Sequence, residues 1–276
     1  VHRGLHFLSN AATQAFEDAR ESVRRFLNAP SKDEIIFTRN ATEAINLVAS
    51  ALAETIQPGD EIVLSIAEHH SNIVPWHFHR ERNGAVLKWA PIDDDGNFLI
   101  EEFEKLLSPR TKIVAITQMS NALGTVVPVA EVIRIAHARG IPVLVDGSQS
   151  AVHMPIDVRD LDCDFFVMTG HKLYGPSGIG VLYGKKELLE KMRPFMGGGE
   201  MGYWHGPGDW NVSDPDEHVR LTDEQLVAHD GRYELRVTNE LEEALFLDRF
   251  ELLAVDHPAG VEVHPNEGML SEPPAH

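Results

Sequence analysis

One pattern constrains this chain more than any other: from residue 33 to 184, short apolar runs alternate with segments of helical spacing. The runs are DEIIFT (33–38), DEIVLSIA (60–67), AVLKWAPI (85–92), TKIVAITQMS (111–120), IPVLVDGS (141–148), CDFFVMTG (163–170) and GIGVLYG (178–184). Most are β-branched and apolar at successive positions, as expected for strands covered on both faces. Between them, ATEAINLVASAL (41–52) sets Ile45, Val48, Ala49 and Leu52 on one helical face. PVAEVIRIAHARG (128–140) starts with proline and ends with glycine, and a further helix is expected over about 99–107. Strands alternating with helices predict an α/β three-layer sandwich built on a mainly parallel sheet. In such sheets ligands sit beyond the carboxyl ends of the strands.

Composition changes near residue 200. Residues 1–199 hold 25 acidic and 20 basic side chains, whereas residues 200–276 hold 18 and 4, with no lysine. Three pieces are therefore expected: a large α/β domain over 1–200, a Gly-, Pro- and Asp-rich linker over 201–220, and an acidic, β-rich tail over 221–276. Within the tail, 232–238 and 248–255 alternate in polarity like exposed strands, and 261–263 reads as a short one. Asp209, Asp214, Asp216 and Glu217 lack the spacing of a calcium loop and read as solvated linker. The net charge of −19 argues against nucleic acid and anionic membrane as partners. A single cysteine, Cys163, excludes an internal disulfide and a multi-thiolate metal site. No basic-then-apolar leader opens the sequence, so a cytoplasmic location is expected.

Polar residues gather where the runs end. Thr42 opens the first helix; His69 and His70 follow the second run, and Asn121 the fourth. Asp146 and Gln149 close the fifth, and Thr169, His171 and Lys172 the sixth. Taken singly, each has an ordinary explanation as a cap, a packing residue or a solvated charge. HHSNIVPWHFH lacks a helix-spaced histidine pair with a carboxylate, so no metal is expected there. Convergence on one sheet edge is what marks a ligand site.

TRNATEAINLVA, AEHHSNIVPW, QMSNALGT, VLVDGSQSAVH and TGHKLYGPSGIGVLYG, followed by GGGEM, occur in the order found in one family. From about residue 2 to 201 the sequence resembles the class V aminotransferases of fold-type I, which depend on pyridoxal 5'-phosphate (PLP), and within them the cysteine desulfurases and selenocysteine lyases. The resemblance implies that Lys172 binds the cofactor covalently, that Asp146 pairs with the pyridinium nitrogen, and that Gln149 bonds the phenolic oxygen. It implies that His69 stacks on the ring and relays protons, and that Asn121 orients the substrate or that oxygen. Thr42, Thr169 and His171 would form the phosphate cradle. Ala41 stands where many relatives carry a hydroxyl residue or glycine, which removes one donor. The implied partners are cysteine or selenocysteine, a sulfur-acceptor protein, and a second copy in a homodimer.

The family's desulfurases also use a mobile cysteine late in the chain and an arginine that grips the substrate carboxylate. Neither is recognisable here, and Cys163 reads as a buried structural residue. Desulfuration is therefore expected to be impaired. Two rivals are another PLP lyase or aminotransferase that needs no thiol, and a non-catalytic PLP-fold module whose acidic tail binds a partner. A nicotinamide-binding enzyme is disfavoured because no G-x-G-x-x-G follows the first run.

Overall fold

The computed structural model describes residues 7–196 and, beyond them, the strand residues 226–229, 232–235 and 252–253. The chain divides into two units, Val1–Gly197 and Gly198–His276. In the first, seven strands form one sheet: β1 (Ile35–Thr38), β2 (Glu61–Ser65), β3 (Val86–Ala90), β4 (Thr111–Thr117), β5 (Val143–Asp146), β6 (Phe165–Thr169) and β7 (Gly180–Gly184). Their order is β1-β7-β6-β5-β4-β2-β3. Pairings from β3 to β6 are parallel, and β7 runs antiparallel to both β6 and β1. The mixed, mostly parallel sheet follows from the alternation read in the sequence. Each strand is trimmed by a residue or more where flanking turns take over.

Side-chain alternation separates two cores. Val114, Ile116, Val143, Val145, Phe166 and Met168 point to one face. Ile113, Ala115, Leu144, Phe165 and Val167 point to the other, where they meet Ala44, Ile45 and Val48 of α2 (Ala41–Ala51) and Trp76 of α3 (Val74–Asn83). The first face is covered by Phe103 of α4 (Ile100–Leu106) and by Val132, Ile133 and Ala136 of α5 (Val129–His137). Burial on both faces explains why these strands are apolar without interruption. A helix not anticipated from the sequence, α1 (Phe7–Phe26), lies before β1, and its Arg20 guanidinium stacks over Phe16 and Phe37.

In the second unit, β8 (Leu226–His229), β9 (Arg232–Leu235) and β10 (Leu252–Leu253) form an antiparallel sheet in the order β10-β9-β8. The alternating stretches 232–238 and 248–255 contain β9 and β10, whereas β8 was not foreseen. GGGEM, the linker with its four acidic residues, and the strand expected at 261–263 lie outside the described residues. Among the described residues no helix is long and apolar enough to cross a membrane.

Candidate active site

Strand register decides which residues meet. Thr117 pairs with Asp146, Asp146 with Val167, and Val167 with Leu182. Thr169 pairs with Gly180, which pairs with Thr38 at the end of β1. The last residues of β1, β4, β5 and β6 therefore share one edge of the sheet, with the end of β2 beside β4. Every site residue expected from the sequence lies at or just after one of these ends.

Two glycines let the edge close. A Cβ on Gly180 would lie 2.4 Å from the Asn40 backbone, so only glycine lets the β1–α2 turn sit against β7. Asn40 caps α2 by accepting from the Glu43 N–H, which leaves the backbone N–H groups of Ala41 and Thr42 pointing outward from the helix start. Thr42 is exposed and its hydroxyl has no partner among the described residues. Likewise a Cβ on Gly147 would collide with the Phe166 ring at 1.9 Å, so the chain can turn there directly after Asp146.

Asp146 is 3% exposed. Its Oδ1 accepts from the Ser148 N–H at 2.9 Å, and its Oδ2 has no hydrogen-bond partner among the described residues. A buried carboxylate with one oxygen left over is suited to a cationic or N–H partner that the protein does not itself supply. On the adjacent strand, β6 leads into a short helical turn, Gly170–Leu173, carrying Lys172. Lys172 is partly buried, and its ammonium makes no ion pair or hydrogen bond with any described residue. Thr169 is buried and shares a 3.1 Å hydrogen bond with His171 Nδ1, and His171 is itself exposed. Gln149 is partly buried and Asn121 exposed, and neither side chain is engaged by the described residues.

His69 begins the turn after β2, and its Nδ1 accepts from the Ser71 N–H at 3.1 Å and lies 2.7 Å from the Ser71 hydroxyl. That acceptor role puts the proton of a neutral imidazole on Nε2, the nitrogen without a partner among the described residues. Beneath it is a residue that the sequence reading passed over, Glu68. Its Oε1 accepts from the Ser65 hydroxyl and from the Thr117 N–H at 2.8 Å, and its Oε2 from Asn72 Nδ2 at 2.7 Å. Burial pushes the Glu68 carboxyl up to about 7, against the pull of those three donors, and nearby Asp146 adds to the rise. A Glu within AEHH carries no burial signal of its own, because its Thr117 donor is 49 residues away.

Cys163 is far from this edge. It precedes β6 whereas Lys172 follows it, so at least the length of a five-residue strand, roughly 15 Å, separates them. The thiol is fully buried, and burial raises it to about 12.

The comparisons with known proteins agree with this architecture. The family model described as aminotransferase class-V matches residues 1–218. A probable cysteine desulfurase of Mycolicibacterium paratuberculosis is 56% identical over 202 residues, covering 73% of this chain and 30% of the relative. A cysteine desulfurase of Dickeya dadantii is 55% identical, covering 73% and 49%. Among solved structures, a cysteine desulfurase from Escherichia coli superposes with a TM-score of 0.68 at 46% identity, covering 75% of this chain and 52% of that one. The apo cysteine desulfurase of Thermococcus onnurineus gives 0.69 at 40% identity, covering 72% and 49%. The chain spans about half the length, or less, of the curated relatives it matches. Its ordered motifs, its sheet order and the family match over most of its length together establish that the chain belongs to the aminotransferase class-V family.

Proposed function

We propose that residues 1–200 form the cofactor-binding half of a PLP-dependent enzyme of the cysteine desulfurase type, acting on cysteine or selenocysteine. The observation that carries this reading is one juxtaposition. A buried carboxylate with an open oxygen, Asp146, and an unpaired lysine, Lys172, end adjacent strands, with the open N-terminus of α2 on the same edge. The residues present fit the group. Asp146 Oδ2 can hold the proton of a pyridinium nitrogen, and Lys172 offers an amine for covalent attachment to the aldehyde. Thr42, its N–H groups and the α2 dipole suit a phosphate, with Thr169 and His171 alongside. When bound, PLP supplies an electron sink for the carbanion of an amino-acid substrate.

Each remaining residue has a role set by its own atoms. His69, with Nε2 open, would lie against the bound cofactor and could move protons there. Gln149 and Asn121 carry amides uncommitted among the described residues, which would be free to hold the phenolic oxygen and the substrate. Cys163 is not the sulfur-accepting thiol in this reading, because it is buried at the far end of β6. Desulfuration by these 276 residues alone is accordingly impaired. In the complete activity the amino acid would yield alanine, and its sulfur would pass to an acceptor protein. A homodimer and a cytoplasmic setting belong to the same proposal, as does a separate acidic tail.

Addition of PLP to the purified chain is expected to give a visible absorbance band that borohydride fixes onto the peptide containing Lys172. Lys172→Ala should abolish both the band and the label. A retained band in that variant sinks the assignment. The position of Cys163 also favours a second reading, in which the reaction needs no thiol. Pyruvate with ammonia, or an exchanged amino group, would then replace alanine with persulfide among the products.

A further inference from the structure

Glu68 is buried at the site's edge, yet the proposed chemistry gives it no task. Its bonds reach three elements: Ser65 at the end of β2, the Thr117 N–H at the end of β4, and Asn72 in the turn leading to α3. Asn72 cannot rotate freely, because its Oδ1 accepts from the Trp76 indole N–H at 3.0 Å, and an indole can only donate. The Asn72 amide NH₂ is therefore obliged to face Glu68. Trp76 is fully buried in α3, so this orientation is anchored in the core. Thr117, the other fixed end, is the register partner of Asp146. The Ser120 hydroxyl adds a 3.3 Å bond to the Ala67 carbonyl, one residue before Glu68.

We propose that Glu68 is a positioning residue for this site: it ties the turn that carries His69 to the strand pair β4–β5 that carries Asp146. Without that tie, residues 68–71 would keep only local bonds, such as that of the Ser71 N–H to His69. The turn's remaining distant anchors would be the Ile66 N–H bond to Ala90 and the long Ser120 bond to Ala67, both before Glu68. The negative charge of Asp146 opposes that of the carboxyl, and among the described residues Glu68 makes no ion pair with a cation. Its hold is thus geometric and depends on donor and acceptor polarity rather than on ion pairing. The role at the site rests on the cofactor reading above; the tie itself does not.

Polarity makes the proposal testable by swap. Glu68→Gln keeps the shape but sets two NH₂ groups face to face, and Asn72→Asp sets two carboxyls face to face. The double variant Glu68→Gln/Asn72→Asp reverses the bond, since the new carboxylate can accept from both the new amide and the Trp76 indole. Amide hydrogen exchange of residues 69–71 is measured without cofactor, and PLP affinity is measured with it. Each single variant is expected to speed exchange and weaken PLP binding by about tenfold, the worth of one buried hydrogen bond. The double variant should recover most of both. In a His69→Ala background Glu68→Gln should cost no further PLP affinity, because its effect runs through His69. Additive losses in the double variant overturn the proposal, as does faster exchange spread evenly over the sheet. If the exchange pattern appears but no variant, nor the unaltered chain, takes up PLP, the cofactor reading fails while the tie stands.

Discussion

The two ends of the seven-stranded sheet treat their charges differently. At the end where β2, β5 and β6 begin, the buried and half-buried charges are paired. Asp164 accepts from His137 Nε2 and from the Val143 N–H, each at 2.7 Å, and lies 3.3 Å from Lys185. Burial opposes the charge of Lys185, yet the Asp162 and Asp164 carboxylates hold its pKa above the ordinary value. Glu61 is likewise kept below the usual carboxylate range by Lys88, Ser108 and Thr111, despite partial burial. At the opposite end Lys172, Asn121 and Gln149 have no partner among the described residues, and Asp146 uses one oxygen only. Polar groups that serve the fold are satisfied by the fold, and those left open await something else.

The sharpest way to break this contrast is to damage the matched end. Asp164→Ala strands the Val143 N–H, removes the acceptor of His137 Nε2 and leaves Lys185 to Asp162 alone, beside the buried Cys163. A loss of about 3–4 kcal/mol is expected, as for two hydrogen bonds to a buried carboxylate lost together, read as a lowered denaturation midpoint. Cys163 should then react with a thiol reagent that leaves the unaltered native chain untouched, since burial holds its thiol near 12. Borohydride labelling of Lys172 should survive wherever the variant remains folded. Lost labelling in the folded variant would mean that the two ends are not separable.

A smaller effect sharpens the contrast at the open end. Glu68 is the exception there, buried and satisfied but without a cation, and its carboxyl stands at about 7 against an ordinary 4.5. A raised carboxyl means that the folded state holds its proton more tightly than the unfolded one. Its contribution is therefore fully present below about pH 4.5, declines as pH rises to about 7, and is flat above. The decline is at most roughly 3 kcal/mol. Asp162 at the matched end is shifted downward, first by the Lys185 hydrogen bond, so it titrates below this window. Stability measured from pH 5 to 8 should fall for the unaltered chain relative to Glu68→Gln. Parallel curves would show that Glu68 does not titrate in that window.

Much of this was legible because the signals are local. Period and β-branching located all seven strands of the first unit, and strand ends located Asp146, Gln149 and Lys172 without any contact information. What escaped depends on distant partners. Glu68 reads as a solvated acid until Thr117 and Asn72 enclose it. The helix α1 keeps only Ser9 fully buried, so its apolar face is thin and broken by charges, and little in the sequence marks it as part of the domain. Asn40 rather than Thr42 caps α2, since Thr42 lies one residue inside the helix. That shift frees the Thr42 hydroxyl for another partner.

The smallest expected effect tests that freedom. Thr42→Val preserves the β-branched shape and leaves the outward N–H groups of α2 intact, so folding should change by no more than a few tenths of a kcal/mol. If the hydroxyl donates to a phosphate at the helix start, its removal should weaken PLP by about tenfold, as for one hydrogen bond to a charged group. Pyridoxal lacks the phosphate and should bind both proteins equally. Measuring both ligands against both proteins separates a phosphate contact from a general loosening of the edge. Equal losses for the two ligands would remove Thr42 from the cradle and leave the α2 N–H groups as the phosphate donors.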